Sequence, residues 1–320
     1  MNRIIFLGFF VITTVVLFAQ DTLYFNSANP FSFQDIIVNL NLQDSQEVYG
    51  VLNMPDNFDP NKKYPVIIAV AGSNGWQEHH YNYLELYRSM DIATFELCSF
   101  QSRGVISTVG TQIEVTTAMM VLDVYRAFNM LVNNPNISID KIALTGWSLG
   151  GGVTLFSAWQ PLKEAIDKNV TFAAHLAFYP PCIVTPEVLD FGNSPLHIII
   201  GELDNWTPAD ACRDLVSTIN TPNVNLTIYE NAHHSFDSSI VPKVKKNGYI
   251  LDDCRFIMRE DGAVLMNFLR IPMTTPFLQK MGLLGCAKRG PIYGEHLKSK
   301  QKARVFAKEF MSTHLIKSNK

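Results

Sequence analysis

Ser148 sits in Gly146-Trp147-Ser148-Leu149-Gly150, a Gly-x-Ser-x-Gly segment preceded by the apolar run Ile142-Ala143-Leu144 and followed by Gly151-Gly152 and a helical pattern. Strand, sharp turn and helix are the context in which such a serine becomes a nucleophile. Glycines at 146 and 150 remove the side chains that would collide where strand and helix approach, so Ser148 can occupy a strained turn with its hydroxyl raised above the sheet. The helix behind it aims N–H groups and the positive end of its dipole at a developing oxyanion. A serine hydroxyl attacks poorly unless a neighbouring base takes its proton, normally a histidine oriented by a buried carboxylate. In a mostly parallel sheet these come from loops after later strands, in the order Ser, Asp, His. Asp204 follows the apolar run Leu196 to Ile200, and the pair His233-His234 follows Val224 to Tyr229. Asp210, inside the next helical stretch, competes with Asp204 but reads as a solvated helix face. Position alone leaves His233 and His234 open.

The oxyanion needs two preorganised donors. One is expected from the backbone N–H of Leu149, the other from the turn Gly72-Ser73-Asn74-Gly75, at the N–H of Ser73. His79 and His80, a few residues on, read as rim residues within reach of a substrate. His175 and His197 fall in strand patterns and read as hydrogen-bonded core histidines. The steps implied are acyl transfer to Ser148 and then hydrolysis by water, the same histidine moving the proton each time.

Those residues must be held by a scaffold of alternating elements. The pattern gives strands at Ile36 to Leu42 and Glu47 to Asn53, with a hairpin turn at Gln43-Asp44-Ser45. Strands follow at Tyr64 to Ala71, Ile92 to Leu97, Thr171 to Tyr179, Leu196 to Ile200 and Val224 to Tyr229, besides the one feeding Ser148. Helices are expected at Tyr81 to Met90, Gln112 to Asn133, after Ser148, from Pro208 to Ile219, and from Lys300 to Ile316. Alternating strands and helices make an α/β fold with a mostly parallel central sheet and helices on both faces. Residues 20–320 read as one catalytic domain.

The chain has 320 residues, 47% of them hydrophobic, and a formal net charge of -3, which supports a large core and gives no basic footprint for nucleic acid. No zinc-type Cys/His spacing, dinucleotide loop or Walker loop occurs, so neither a cofactor nor a metal is expected. Residues 1–19 form a separate unit, with Asn2-Arg3 before an apolar run to Ala19. This reads as a signal peptide cleaved after Ala19, although Leu17 stands where a smaller residue is preferred. A retained N-terminal membrane anchor is the alternative, and no other stretch reads as membrane-spanning. The oligomeric state is not legible. Five cysteines in an exported chain allow at most two bridges.

From Val48 to Phe236 the chain resembles the dienelactone hydrolase family of the α/β-hydrolase superfamily, in its exported, serine-dependent branch. The resemblance rests on Gly146-Trp147-Ser148-Leu149-Gly150-Gly151, on Gly201-Glu202-Leu203-Asp204-Asn205-Trp206-Thr207-Pro208, and on Tyr229 to Phe236. In the last motif the family's histidine lies two residues before the phenylalanine, which selects His234. The segment Phe100 to Val105, with Arg103-Gly104, also looks like the family and implies a structural role. Founding members carry cysteine where this chain has Ser148, so their lactone substrate does not carry over. Relatives often have His-Gly-Ser where this chain has Ala71-Gly72-Ser73, so an orienting histidine is missing. Trp147 and the three glycines after Leu149 are also similar to bacterial polyester hydrolases, over that motif only. The resemblance further suggests bridges Cys182–Cys212 and Cys254–Cys286, with Cys98 free. The leading reading is an exported serine hydrolase acting on carboxylic esters of small or medium acyl groups. A peptidase of the same fold and a catalytically silent binding protein are the competing readings.

Overall fold

A computed structural model describes residues 20–317. The expected leader or anchor at residues 1–19 lies outside them. In chain order the strands are β1 (Gln20–Ala28), β2 (Ser45–Asn53), β3 (Tyr64–Val70), β4 (Ala93–Leu97), β5 (Ile137–Trp147), β6 (His175–Phe178), β7 (Val184–Pro186), β8 (Leu196–Gly201) and β9 (Val224–Tyr229). Eight of them form one sheet in the order β1-β2-β4-β3-β5-β6-β8-β9. The pairs β1–β2 and β2–β4 are antiparallel, and every pair from β4 to β9 is parallel. In β3, Val66 through Val70 are wholly buried, as a strand covered on both faces requires. β2 instead alternates, burying Val48, Gly50 and Leu52.

The helices are α1 (Phe33–Asn39), α2 (Glu78–Arg88), α3 (Thr117–Leu131), α4 (Leu149–Phe156), α5 (Gln160–Ile166), α6 (Ala209–Ile219), α7 (Pro276–Leu284) and α8 (Leu297–Met311). The sheet thus has the expected mostly parallel α/β build, and because all its parallel strands run the same way, the loops after β3, β5, β8 and β9 share one edge.

Two expectations fail near the N-terminus. Ile36 to Leu42 is not a strand but α1 and a short 3₁₀ turn. Ser32 starts that helix through a capping box: its Oγ accepts from the Asp35 N–H, and Asp35 accepts from the Ser32 N–H at 2.8 Å. The partner of β2 is β1, pairing Gln20 with Asn53 through Ala28 with Ser45. Helix α2 also begins earlier than expected, at Glu78, which turns His79 and His80 inward: they are 7% and 2% exposed rather than rim residues. The segment Thr171 to Tyr179 contributes only His175–Phe178 as strand.

Arg103 explains its motif. Its guanidinium donates to both carboxylate oxygens of Asp123, at 2.7 and 3.1 Å, while Ser27 and Ser99 donate to the same carboxylate at 2.5 and 2.7 Å. It also donates to Asn29 Oδ1 and the Ala28 carbonyl. Asp123 is fully buried in α3, so the cluster joins β1, the loop after β4 and α3. Removing one member of such a buried pair typically costs about 3–5 kcal/mol.

After β9 the chain adds short pairings. β10 (Lys243–Val244) pairs with β15 (Ile292–Tyr293), β11 (Tyr249–Ile250) with β14 (Lys288–Arg289), and β12 (Phe256–Met258) lies between β7 and β13 (Val264–Leu265). Disulfides join Cys182 to Cys212 and Cys254 to Cys286, and Cys98 is free and buried, as the resemblance implied. Two bridges fit a protein of an extracellular or periplasmic compartment. Among the described residues no helix is long and apolar enough to cross a membrane.

His175 is buried, but neither ring nitrogen makes a hydrogen bond, so the satisfied-core expectation fails for it. His197 does bond, to Thr227 Oγ1 at 2.9 Å. Burial pushes His175 down to about 4. The unfolded imidazole takes up a proton near 6.5, so between these values the unfolded state binds more protons and stability falls with falling pH. His175→Leu should therefore flatten the loss of stability between pH 6.5 and 4 by about 2–3 kcal/mol in urea unfolding series; an unchanged slope would assign the acid loss to other groups.

Candidate active site

β5 ends in Trp147 and α4 begins at Leu149, leaving a single residue to reverse the chain. Ser148 takes φ 56° and ψ -115°, a left-handed conformation that a residue with a side chain rarely adopts. Glycines make this possible. A Cβ on Gly146 would stand 2.1 Å from the Gly150 carbonyl oxygen, and one on Gly150 would stand 2.2 Å from that of Val70.

The structure brings together the three residues expected from separate loops. His234 Nε2 lies 2.9 Å from Ser148 Oγ, and His234 Nδ1 lies 2.7 Å from Asp204 Oδ2. Asp204 and His234 are 3% and 2% exposed. The other carboxylate oxygen of Asp204 accepts the N–H groups of Trp206 and Thr207 at 2.9 and 2.8 Å, which fixes its plane. Asp210 is exposed and pairs with Arg213 away from this group. His233 turns aside, its Nδ1 3.1 Å from the Leu203 carbonyl.

Sequence reasoning missed the residues that pack around the imidazole. Thr207 Oγ1 is 3.0 Å from His234 Nδ1, from Asp204 Oδ2 and from the Tyr179 carbonyl oxygen. A hydroxyl has one proton. With Nδ1–H donating to Asp204, the Thr207 proton goes to the Tyr179 carbonyl or to Asp204 Oδ2, and its oxygen faces the imidazole. The rings of Trp206 and Tyr179 flank that of His234 at centroid distances of 4.9 and 4.7 Å. Thr207 stands in the quoted Asp204 motif, so its proximity to Asp204 was legible, but nothing in the pattern marked Tyr179.

Behind the histidine is a second buried polar group. Tyr179 Oη donates to Asp237 Oδ1 at 2.9 Å and lies 3.4 Å from His79 Nε2. Burial lowers His79 below its ordinary value, against the opposing pull of Asp237. His80 accepts the Gln77 N–H on Nδ1 and stacks on Trp147; burial lowers it well below the ordinary range, so it is a neutral packing group.

The loop after β3 lies against the turn: a Cβ on Gly72 would be 3.3 Å from that of Ser148. The Gly72 carbonyl accepts the Gly75 N–H at 2.9 Å, and in a trans peptide this points the Ser73 N–H the opposite way. That N–H has no acceptor among the described residues. The Leu149 N–H opens α4, where first-turn donors lack intrahelical acceptors. Ser73 and Leu149 both border the cavity beside Ser148.

Ser148 lies between two hollows. One, of about 220 Å³, is walled mainly by apolar side chains and includes Leu149. The other, of about 80 Å³, includes His234, His79, Asn74, Gln77 and Lys245.

A mostly parallel sheet with Ser148 in a strained turn after β5, and with Asp204 and His234 on loops after later strands, is the α/β-hydrolase fold. Residues 98–247 match the model of the dienelactone hydrolase family. That stretch contains Ser148, Asp204 and His234. Among solved structures, the dienelactone hydrolase-like promiscuous phosphotriesterase P91 from metagenomic libraries is 12% identical, with 92% of this chain and 99% of that one covered at a TM-score of 0.51. Est1E from Butyrivibrio proteoclasticus is 16% identical over 59% of this chain and 86% of its own, at 0.44. Esterase 2 from Thermogutta terrifontis is 18% identical over 59% and 81%, at 0.46. These likenesses are of fold. No curated protein matches the chain.

Thr207→Val removes the oxygen beside Nδ1 while nearly preserving volume. It should lower kcat on an activated ester by about tenfold, the worth of one orienting hydrogen bond, and Thr207→Ser should restore most of it. Equal rates in all three would leave Thr207 without a part in holding the imidazole.

Proposed function

We propose that the protein is a serine esterase in which Ser148 is the nucleophile, His234 the general base and acid, and Asp204 the group that orients the imidazole. The observation that carries this reading is the unbroken contact from Ser148 Oγ through the imidazole to Asp204, at 2.9 and 2.7 Å, in a buried setting. His234 Nε2 takes the hydroxyl proton as Oγ attacks the ester carbonyl. The N–H groups of Ser73 and Leu149 receive the oxyanion. The alkoxide leaves with the proton from His234, and water activated by the same nitrogen then frees the acid. No part of this scheme calls on a metal or cofactor. A complete arrangement of nucleophile, base and acid favours an enzyme over a silent binding fold.

Ser148→Ala should lower kcat on p-nitrophenyl esters by at least about a thousandfold and abolish labelling by a fluorophosphonate probe. Near-normal turnover in that variant would place the nucleophile elsewhere, and unlabelled, folded wild-type protein would favour a binding role.

We also propose that residues 1–19 export the chain as a cleaved leader, a reading supported by the two disulfides. The exported protein should then begin at Gln20 by N-terminal sequencing; a start at Met1 in a membrane fraction would favour the anchor.

A further inference from the structure

The two hollows flanking Ser148 differ in size, and the reaction itself decides which half of a substrate each holds. The leaving oxygen must reach His234 Nε2 to collect its proton, and His234 borders only the smaller hollow. The carbonyl oxygen must reach the Leu149 N–H, and Leu149 borders only the larger one. We infer that the larger hollow is an acyl compartment and the smaller an alcohol compartment, so the chain selects esters of bulky apolar acids with small alcohols. This inference rests on the esterase reading of the same site and names its substrate class.

The acyl compartment measures about 220 Å³. An apolar cavity of about 150 Å³ holds benzene, so by proportion this one holds about eight or nine carbons. Its wall includes Phe33 from α1, Phe156 from α4, Ile183, Val264 and Leu283. Phe33, Val264 and Leu283 lie outside residues 98–247, so the compartment is built in part from segments the family match does not reach. The alcohol compartment, at about 80 Å³, mixes Asn74, Gln77 and Lys245 with Trp206, Ile240 and Tyr293 on its wall. A long alkyl alcohol would be too large for it.

The reaction balances without a further reactant. Ser148 Oγ bonds to the acyl carbon as its proton passes to His234 Nε2. The carbon–oxygen bond to the alcohol breaks, and the proton moves on to that oxygen, leaving the acyl group in the apolar compartment until water takes it.

Ethyl octanoate and octyl acetate are isomers with the same ester bond and the same atoms, differing only in which side carries the long chain. Each methylene buried in an apolar site can strengthen binding by up to about fourfold. By pH-stat, wild-type protein should therefore cleave ethyl octanoate with a kcat/KM at least about tenfold above that for octyl acetate. Val264→Trp, which fills the acyl compartment, should shrink that ratio at least about tenfold, and Leu283→Trp provides the same readout should the first variant not fold. A ratio near one, a preference for octyl acetate, or a ratio unmoved in a folded variant overturns the compartment assignment while leaving the esterase reading in place. Turnover of neither these isomers nor any p-nitrophenyl ester overturns the esterase reading and the inference with it.

Discussion

The site depends on the close approach of the end of β5 to the start of α4. Ser148 must adopt a backbone conformation that costs about 1–3 kcal/mol in isolation, and it stays there because both sides of the turn are locked. Its own N–H donates to the Phe178 carbonyl at 2.9 Å, its carbonyl accepts the Gly152 N–H at 2.9 Å, and Gly146 and Gly150 meet with no room for a methyl group. The core strands on either side, β3 and β6, are buried and do not yield. Strain held this way keeps the hydroxyl above the sheet edge and presents the first N–H of α4 beside it.

Because the sheet is parallel from β4 to β9, the remaining parts arrive at the same edge without further design. This is why the meeting of Ser148, Asp204 and His234 was legible from order and spacing: each follows a short apolar run, and the direction of those runs is fixed by the helices between them. The choice of His234 over His233 needed the motif ending in Phe236, since adjacent residues satisfy the same positional rule. The structure supplies the physical basis of that choice. Phe236 is fully buried and its ring packs on Tyr179, and the loop around it turns His234 inward while His233 faces the Leu203 carbonyl.

Elements whose identity depends on partners distant in sequence were not legible. Ile36 to Leu42 has an apolar pattern too short for periodicity to separate strand from helix, and the capping box at Ser32 decides for helix. β1 alternates over only a few residues, with Tyr24 exposed while Leu23 and Phe25 pack on the core, and the strand is completed by β2. His79 and His80 were misplaced by a three-residue error in the start of α2, enough to rotate a helical side chain from solvent to core. The short strands after β9 carry no pattern at all, since two residues cannot show one.

Those short strands nevertheless shape both sides of the site, and their stability has a different source from that of the sheet. β10, β11, β13, β14 and β15 each contribute two residues, far too few to offset an ordering cost of about 1–2 kcal/mol per residue across the connecting loops. Covalent and polar ties compensate. The Cys254–Cys286 bridge closes a loop of 32 residues containing β12, β13 and α7, and Cys182–Cys212 pins the chain next to Ile183, each typically worth about 2–4 kcal/mol. The Asn205 side chain accepts the Ile292 N–H at 3.0 Å and its carbonyl accepts the Leu251 N–H at 3.1 Å, joining this region directly to the loop that carries Asp204. Gly294 donates to the His234 carbonyl at 2.9 Å, which fastens the same region to the base. The segment that walls the cavities is therefore anchored to the catalytic loops themselves, so cavity shape and imidazole position are set by one set of ties. In a reducing compartment the covalent part would be absent, and the cavity wall would rest on these hydrogen bonds and on the buried side chains of Leu251, Phe256, Met258 and Met266, so an oxidising environment contributes to the site's shape as well as to the chain's stability.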